Sequence, residues 1–195
     1  MNKWESGPDS DEILAGVASV ERTLLLIKPD GVRRGLIGEV LRRVERAGLR
    51  ISALNMRRPT EEIARGHYLD DDRQLLQMGG KLLSSADALG LDVEEAFGTR
   101  EPLMLGRIIF ERNVEFLASG PVVVAVVVGP HAISKMKLMC GATMPHEASP
   151  GSIRGDFASV GAEQVLGSSG TVENLIHVSD REDGSVDREI DYWFK

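Results

Sequence analysis

The sequence predicts an α+β fold built on a four-stranded antiparallel sheet, with a helical insertion between the second and third strands. Two observations predict it. Short apolar runs alternate with segments of helical periodicity in the order β-α-β-β-α-β, and a stretch rich in Leu, Ala, Glu and Arg separates the two middle strands. With 195 residues, 42% of them hydrophobic, the chain is long enough for one domain with a real core.

The first strand and helix follow from a change of pattern near residue 28. Residues 23–27 form a compact apolar run, and the Lys28-Pro29-Asp30-Gly31 sequence that closes it predicts a loop. Apolar residues then recur at helical spacing, with charged residues on the opposite face and Gly48 placed to end the helix. The apolar positions are Leu36, Ile37, Val40, Leu41 and Val44.

The second strand is predicted at residues 49–56, where apolar and polar residues nearly alternate. Pro59-Thr60 followed by two acidic residues is typical of a helix start, and this helix is expected to end near His67 and Tyr68. Residues 70–119 contain glycine and proline breaks and are interpreted as two or three helices.

The third and fourth strands complete the pattern. The valine-rich run 122–128 predicts a strand buried on both faces. Pro130 is expected to open a helix reaching about Met139, and residues 175–179 form a short last strand. The resulting order is that of ferredoxin-like domains. Two glycine- and serine-containing segments, 141–156 and 161–170, are predicted to be long loops.

Charge and cysteine content exclude some classes of function. The net charge of −7 argues against a broad nucleic-acid or anionic-membrane surface, since either needs a basic field. A single cysteine, Cys140, forms no internal disulfide and fits the cytoplasm. Residues 1–20 lack the basic start and long apolar run of a signal peptide and are interpreted as a polar extension.

A resemblance to a known family rests on seven collinear motifs. The most informative is Asn-Leu-Ile-His-Val-Ser-Asp at 174–180, which resembles the active-site segment of nucleoside diphosphate kinases. The others lie at 21–23, 27–32, 34–39, 67–68, 119–123 and 150–157. The resemblance covers residues 21–194 and implies one kinase domain, 21–195, with insertions at about 74–110 and 162–171.

The resemblance implies an enzyme that transfers the γ-phosphate of a nucleoside triphosphate such as ATP to a nucleoside diphosphate. His177 would be the nucleophile and form a phosphohistidine, because a neutral imidazole attacks phosphorus directly. Glu189 and Ser179 match the groups that hold the imidazole in position. Without the motif, a histidine in an apolar strand is more often a structural residue.

Six further residues match nucleotide-binding positions of the family. Four would contact phosphates, because phosphoryl transfer requires charge neutralisation and positioning. Lys137 stands where many relatives have arginine, so it offers a point charge instead of a bidentate fork. Asn174 would bind the ribose 3′-hydroxyl from a loop just before the last strand, and Tyr68 would pack beside the phosphate site. The phosphate contacts would be Lys28, Lys137, Thr143 and Arg154.

The resemblance also implies partners and departures. Mg²⁺ is expected to arrive bound to the nucleotide phosphates, with no dedicated protein metal site. A homo-oligomer is expected, a hexamer being favoured over a tetramer or dimer, with neither nucleic acid nor membrane as a partner. The chain departs from the family in lacking a base-stacking aromatic after Tyr68, in having Val178 after the histidine, and in the extra residues 162–171.

Two other functions fit parts of the sequence. One is a nucleotide-binding regulatory or scaffold protein that has kept the fold without efficient turnover, but the joint presence of His177, Asn174, Arg154 and Lys28 argues against it. The other is a ferredoxin-like RNA-binding domain, which the acidic charge and the lack of an aromatic-rich strand disfavour.

Overall fold

A computed structural model of the chain describes residues 20–68, 70–167, 170–180 and 185–195. It has four strands in one sheet of order β2-β3-β1-β4, and every neighbouring pair is antiparallel. The strands are β1 (Val20–Ile27), β2 (Arg50–Arg57), β3 (Val122–Pro130) and β4 (Ile176–Val178). The predicted antiparallel α+β sheet is therefore confirmed.

Helices cover both faces of this sheet in the described residues, and a short 3₁₀ helix spans Pro145–Glu147. The α-helices are α1 (Pro29–Arg33), α2 (Ile37–Arg46), α3 (Glu61–His67), α4 (Asp72–Ala88), α5 (Val93–Phe97), α6 (Pro102–Ala118), α7 (Ala132–Cys140), α8 (Ile153–Phe157), α9 (Ala162–Leu166) and α10 (Ser185–Phe194).

Alternation along β1 divides the core between the two faces. Leu25 and Ile27 pack with α2 and α7, whereas Leu24 and Leu26 pack with α3, α6 and α10. The central strands β1 and β3 are buried on both faces, as the valine run predicted. A third cluster, which includes Leu82, joins α4 to α5, α6 and α9.

Several predicted boundaries differ from the structure. The predicted loop at Lys28-Pro29-Asp30-Gly31 is instead the start of α1, because proline is well suited to the first turn of a helix. The helix expected from Pro130 begins at Ala132, since Pro130 still belongs to β3. The predicted fourth strand, 175–179, is shortened to 176–178, because Leu175 has a left-handed backbone with φ of 68°.

The segments predicted as long loops also contain helices. Residues 141–156 hold the 3₁₀ helix and the start of α8, and residues 161–170 hold α9. The predicted extension, residues 1–20, lies outside the described residues except for Val20, as do residues 168 and 169 of the second predicted insertion. Residues 70–119, which include the first predicted insertion, form three helices, at the upper end of the two or three expected.

Candidate active site

The candidate nucleophile lies on the short edge strand β4. His177 pairs with Leu26 of β1, so its side chain lies on the face of the sheet that α3 and α10 cover. Its side chain is 27% exposed, so the ring is accessible from a cavity. Three neighbouring side chains limit how the ring can turn.

Glu189 of α10 fixes the orientation of the His177 ring. Its Oε2 lies 2.7 Å from His177 Nε2, and the Ser179 hydroxyl donates to the same oxygen at 2.6 Å. Burial alone would raise the pKa of this carboxyl, but the neighbouring His177 and the hydrogen bonds outweigh it and lower the pKa to about 2. An ionised carboxylate only accepts hydrogen bonds, so Nε2 carries the proton. In the neutral ring, Nδ1 then holds the free electron pair.

His67 supports the same imidazole from the side. The two histidine rings meet edge to face with centroids 4.7 Å apart, and Trp193 donates its indole N–H to His67 Nδ1 at 3.2 Å. Burial, followed by the charge of His177, lowers the pKa of His67 to about 3. His67 is therefore neutral and acts as a packing and orienting group. The sequence placed it in a family motif but did not single it out as a site residue.

Tyr68 presents a buried hydroxyl beside these rings. Its ring packs against His67 and Phe110, the residue lines the cavity, and its buried hydroxyl has no hydrogen-bond partner in the described part of the chain. Burial raises the pKa of this phenol, with help from the negative charges of Glu189 and Asp30, so the hydroxyl stays protonated. A buried donor without a protein partner fits a position where a ligand binds.

Lys28, Asn174 and Thr143 form a chain of hydrogen bonds along the cavity. Lys28 donates its ammonium to Asn174 Oδ1 at 2.8 Å, and the Asn174 amide donates to the Thr143 carbonyl at 2.9 Å. Burial and the nearby Arg154 lower the pKa of Lys28 to about 8, against the opposing attraction of Asp30. The lysine is thus charged near neutral pH and close to titrating.

The loop before β4 holds Asn174 where the sequence predicted it. Leu175 adopts the left-handed backbone, and its N–H donates to the buried carboxylate of Asp30 at 3.0 Å. The Leu175 carbonyl accepts from the Lys28 N–H at 2.8 Å, which joins this loop to the start of α1. Asp30 is a positioning residue. The sequence analysis included it in a motif but did not predict it as a site residue.

Arg154, from α8, is buried against backbone carbonyls. Its guanidinium donates to the carbonyls of Asn174, Gly141, Ala142 and Ile176 at 2.7 to 3.1 Å. These bonds join the segment after α7 to the segment around β4. A guanidinium has five N–H groups, so one remains available to a ligand.

Lys137 reaches the cavity from α7 as an ion-paired cation. It donates to Asp180, which follows β4, and its side chain is 54% exposed. Asp180 therefore balances part of the charge at this edge of the site. Lys137 is the more solvated of the two predicted lysines, since Lys28 is buried.

One cavity of about 690 Å³ joins these groups. This volume lies within the range of small-molecule sites. All nine predicted site residues line it, namely Lys28, Tyr68, Lys137, Thr143, Arg154, Asn174, His177, Ser179 and Glu189. Residues that were not predicted also line it, including Arg73, Gln77, Lys81 and Arg188.

The side chains of His67, His177 and Glu189 are the metal-binding types, and their ligand atoms lie within 4.8 Å of one another. The described part of the chain uses these atoms differently, because His177 and Glu189 are hydrogen-bonded to each other and His67 Nδ1 accepts from Trp193. A cation bound here would displace hydrogen bonds that hold the His177 ring. We therefore assign this cluster to orienting the imidazole.

An oriented imidazole beside buried and solvated cations, in a cavity of nucleotide size, defines a phosphotransferase site on a ferredoxin-like sheet. The sequence profile of the nucleoside diphosphate kinase family matches residues 21–77 and 103–195. The chain belongs to the nucleoside diphosphate kinase family.

Individual relatives agree. A nucleoside diphosphate kinase from Pyrobaculum aerophilum is 40% identical over 176 residues, which are 90% of this chain and 96% of that protein. The crystal structure of an NDP kinase from the same organism superposes with a TM-score of 0.84 at 39% identity, covering 91% of this chain and 97% of that one. A Borrelia burgdorferi enzyme, solved as a transition-state mimic with vanadate and ADP, gives a TM-score of 0.70 at 35% identity, covering 90% and 88%. These relatives show that the chain is a phosphotransferase of this kind.

Proposed function

We propose that the chain transfers the γ-phosphate of a nucleoside triphosphate to a nucleoside diphosphate in two half-reactions through His177. In the first, the electron pair on His177 Nδ1 forms a bond to the γ-phosphorus while the bond to the bridging oxygen breaks, and the diphosphate leaves. In the second, a terminal phosphate oxygen of an acceptor diphosphate attacks the phosphohistidine and restores the free ring.

The contact between Glu189 and His177 is the observation that carries this proposal. Because Glu189 is ionised and accepts the Nε2 proton, the neutral ring presents Nδ1 as its nucleophile. Phosphorylation at Nδ1 makes the ring cationic while Nε2 keeps its proton. The carboxylate 2.7 Å away stabilises that positive charge as it develops, which is the usual way a fixed charge lowers a barrier.

The cations of the cavity would hold the phosphates in line with the ring. Lys28 is buried and already hydrogen-bonded to Asn174, so it connects the predicted sugar contact to the reacting phosphate. Lys137 supplies a more solvated charge that a phosphate would share with Asp180. The predicted set of donors also includes Arg154, which has one N–H left for a ligand, and the Tyr68 and Thr143 hydroxyls.

Magnesium enters this scheme as part of the nucleotide substrate, bound to its phosphate oxygens. Among the described residues lining the cavity, the carboxylates of Asp180 and Glu189 are engaged, with Lys137 and with His177 and Ser179 respectively. That arrangement favours a metal held mainly by phosphates. The ion would neutralise charge on the transferring group.

Related structures support nucleotides as substrates. Besides the Borrelia burgdorferi complex with ADP, an enzyme from Halobacterium salinarum was solved in complex with CDP. It superposes with a TM-score of 0.63 at 33% identity, covering 91% of this chain and 89% of that one. Bases of both sizes are thus accommodated by proteins of this fold.

The proposal includes a cytoplasmic homo-oligomer, with a hexamer favoured over a tetramer or dimer. The free thiol of Cys140 is compatible with a reducing compartment. No helix in the described ranges is both long and apolar enough to cross a bilayer. Sedimentation analysis of the full chain would measure the assembly directly.

The direct test is to incubate the protein with ATP radiolabelled at the γ-phosphate and to isolate the protein. We expect bound phosphate that is labile in acid and stable in base, as phosphohistidine is, and that is released to added GDP. His177→Asn should abolish this label while the variant still binds ATP, because the phosphate contacts remain. Label that survives in His177→Asn would contradict the assignment.

A further inference from the structure

The catalytic cavity has a wall that the family profile does not match. The profile leaves out residues 78–102, yet Met78, Lys81 and Leu82 line the same cavity as His177. They lie on α4, where Gln77 and Lys81 are one turn apart on one face of the helix. This part of the pocket is therefore specific to chains that carry the helical insertion.

The wall is rigid. Helices α4 and α6 cross in direct backbone contact at two glycines: a Cβ at Gly79 would lie 1.9 Å from the Pro102 carbonyl oxygen, and one at Gly106 would lie 2.0 Å from that of Leu75. Leu82 then packs with Val165 of α9 in the third core cluster. Because both sides are packed, α4 presents its side chains to the cavity from a fixed backbone.

The end of the cavity near Leu82 has the composition of a nucleobase site. Its apolar lining comes from three helices and the segment before β4, and polar groups stand beside it. The apolar residues are Met78, Leu82, Ile109, Val165 and Val172. The polar ones are Gln77, Lys81 and Asn113, of which Asn113 is held by the Thr171 hydroxyl at 2.7 Å. An apolar lining with a few hydrogen-bonding groups beside it matches the apolar faces and polar edge of a base better than it matches a phosphate.

The spacing along α4 agrees with this arrangement. Tyr68, which contacts the His67 ring beside His177, lies just before the helix, so the start of α4 is near the phosphate end. From Arg73 to Lys81 the helix advances about 12 Å, at a rise of ~1.5 Å per residue. A nucleotide with its terminal phosphate at His177 would extend along α4 and reach Lys81 with its base.

Resting on the proposed function, we propose that Lys81, which lies outside the part of the chain that the family profile matches, contacts the base at this end of the cavity and favours a base with a carbonyl oxygen over adenine. An ammonium only donates hydrogen bonds. Guanine and hypoxanthine present the O6 acceptor at the position where adenine presents an amino donor. Among the described residues, Lys81 is an exposed side chain of α4 without an ion pair or hydrogen bond that would hold it away from the cavity.

The test measures binding of GDP, IDP and ADP to the full chain by calorimetry. We expect GDP and IDP to bind about three- to tenfold more tightly than ADP, a free-energy difference of roughly 0.7 to 1.4 kcal/mol. Lys81→Met keeps the aliphatic stem and removes the donor. This variant should bind GDP and IDP only as tightly as it binds ADP, and its affinity for ADP should equal that of the parent. The matched control, Lys135→Met, makes the same change at a lysine that contacts the Ala47 carbonyl and should alter none of the three.

Other outcomes overturn the inference. Equal weakening of all three nucleotides by Lys81→Met would assign Lys81 to a phosphate, and no change at all would remove it from the site. IDP that binds like ADP would trace any guanine preference to the 2-amino group. Met78→Ala tests the apolar lining separately from Lys81, because it should weaken the binding of all three nucleotides.

These results are separable from the proposed function. A chain that forms a phosphohistidine but shows no effect of Lys81→Met on base preference refutes only the base subsite. A chain that binds nucleotides with the expected preference but forms no phosphohistidine refutes only the transfer mechanism.

Discussion

Replacing Glu189 with glutamine tests the central step of the proposed mechanism. The amide keeps the shape of the carboxylate and its oxygen can still accept from His177 Nε2 and from the Ser179 hydroxyl, which lie 2.7 and 2.6 Å from Oε2. The change removes the negative charge and, because an amide nitrogen takes the place of Oε1, also the oxygen that accepts from Arg188 at 3.3 Å. It therefore tests the electrostatic support that the phosphorylated ring would receive.

The expected loss follows from the geometry. Glu189 is buried, with 4% of its side chain exposed, so solvent screens its interaction with the ring very little. A hydrogen bond to a charged group contributes about 1.5 to 3 kcal/mol. If most of that stabilises the transition state, Glu189→Gln should slow phosphoenzyme formation by roughly ten- to a hundredfold, at about 1.4 kcal/mol per factor of ten.

The assay is a single-turnover reaction with radiolabelled ATP, followed by rapid quench in base. Ser179→Ala is the matched control, because it removes one hydrogen bond to the same oxygen while leaving the negative charge of Glu189 in place, so it should slow phosphoenzyme formation less than Glu189→Gln does. Thermal unfolding of both variants checks that the site remains folded. A Glu189→Gln rate within about twofold of the parent, in a folded protein, would refute the role of this carboxylate.

Two further predictions concern the lysines. Because the pKa of Lys28 is lowered to about 8, the ammonium is present below that pH and is lost above it, so kcat/KM should fall by about tenfold per pH unit above roughly pH 8. A pH profile that stays flat to pH 10, or the same falling limb in Lys28→Arg, would contradict this. Lys137→Ala should lower kcat/KM by about ten- to a hundredfold, whereas Lys137→Arg should stay within roughly tenfold of the parent. Steady-state kinetics of Lys135→Ala provide the comparison, and equal small effects at 135 and 137 would show that Lys137 is only a surface charge.

Local patterns were enough to predict the sheet, whereas His177 was named as the candidate nucleophile through the family motif at 174–180. The apolar runs predicted the strands in the right order, because the apolar pattern that marks a strand is contained within a few neighbouring residues. Alternation also predicted that Asn174 lies in a loop before β4. The structure confirms this, since Leu175 has a left-handed backbone. Asn174 and His177, on either side of this break, therefore line the same cavity.

Contacts between distant elements were harder to anticipate. Helix α10 was not assigned, although Val186, Ile190 and Trp193 recur at helical spacing and bury an apolar face. Glu189 could be named only through the family resemblance, because its contact with His177 depends on how α10 packs on the sheet. The bond from Trp193 to His67 has the same origin, and no local sequence signal predicts it.

The inserted segment shows a different limit. Its helical character was evident from composition, but its place beside the active site depends on close packing at Gly79 and Gly106, which lie 27 positions apart. A glycine inside a helical pattern indicates either a less stable helix or a close approach of another backbone. The sequence alone does not decide between these, whereas the distances to Pro102 and Leu75 do.

The bonds of Arg154 change how the phosphate site is understood. The resemblance assigns this residue a phosphate contact, but four of its five N–H groups already reach carbonyls of Gly141, Ala142, Asn174 and Ile176. Breaking such buried bonds costs about 1 to 3 kcal/mol for each group left unpaired, so we expect a phosphate to leave them in place. The positive charge still acts on the cavity, as its lowering of the Lys28 pKa shows. Arg154 therefore holds the Asn174 and Thr143 segments together, and we expect it to offer a phosphate one N–H while the two lysines supply most of the direct phosphate contacts.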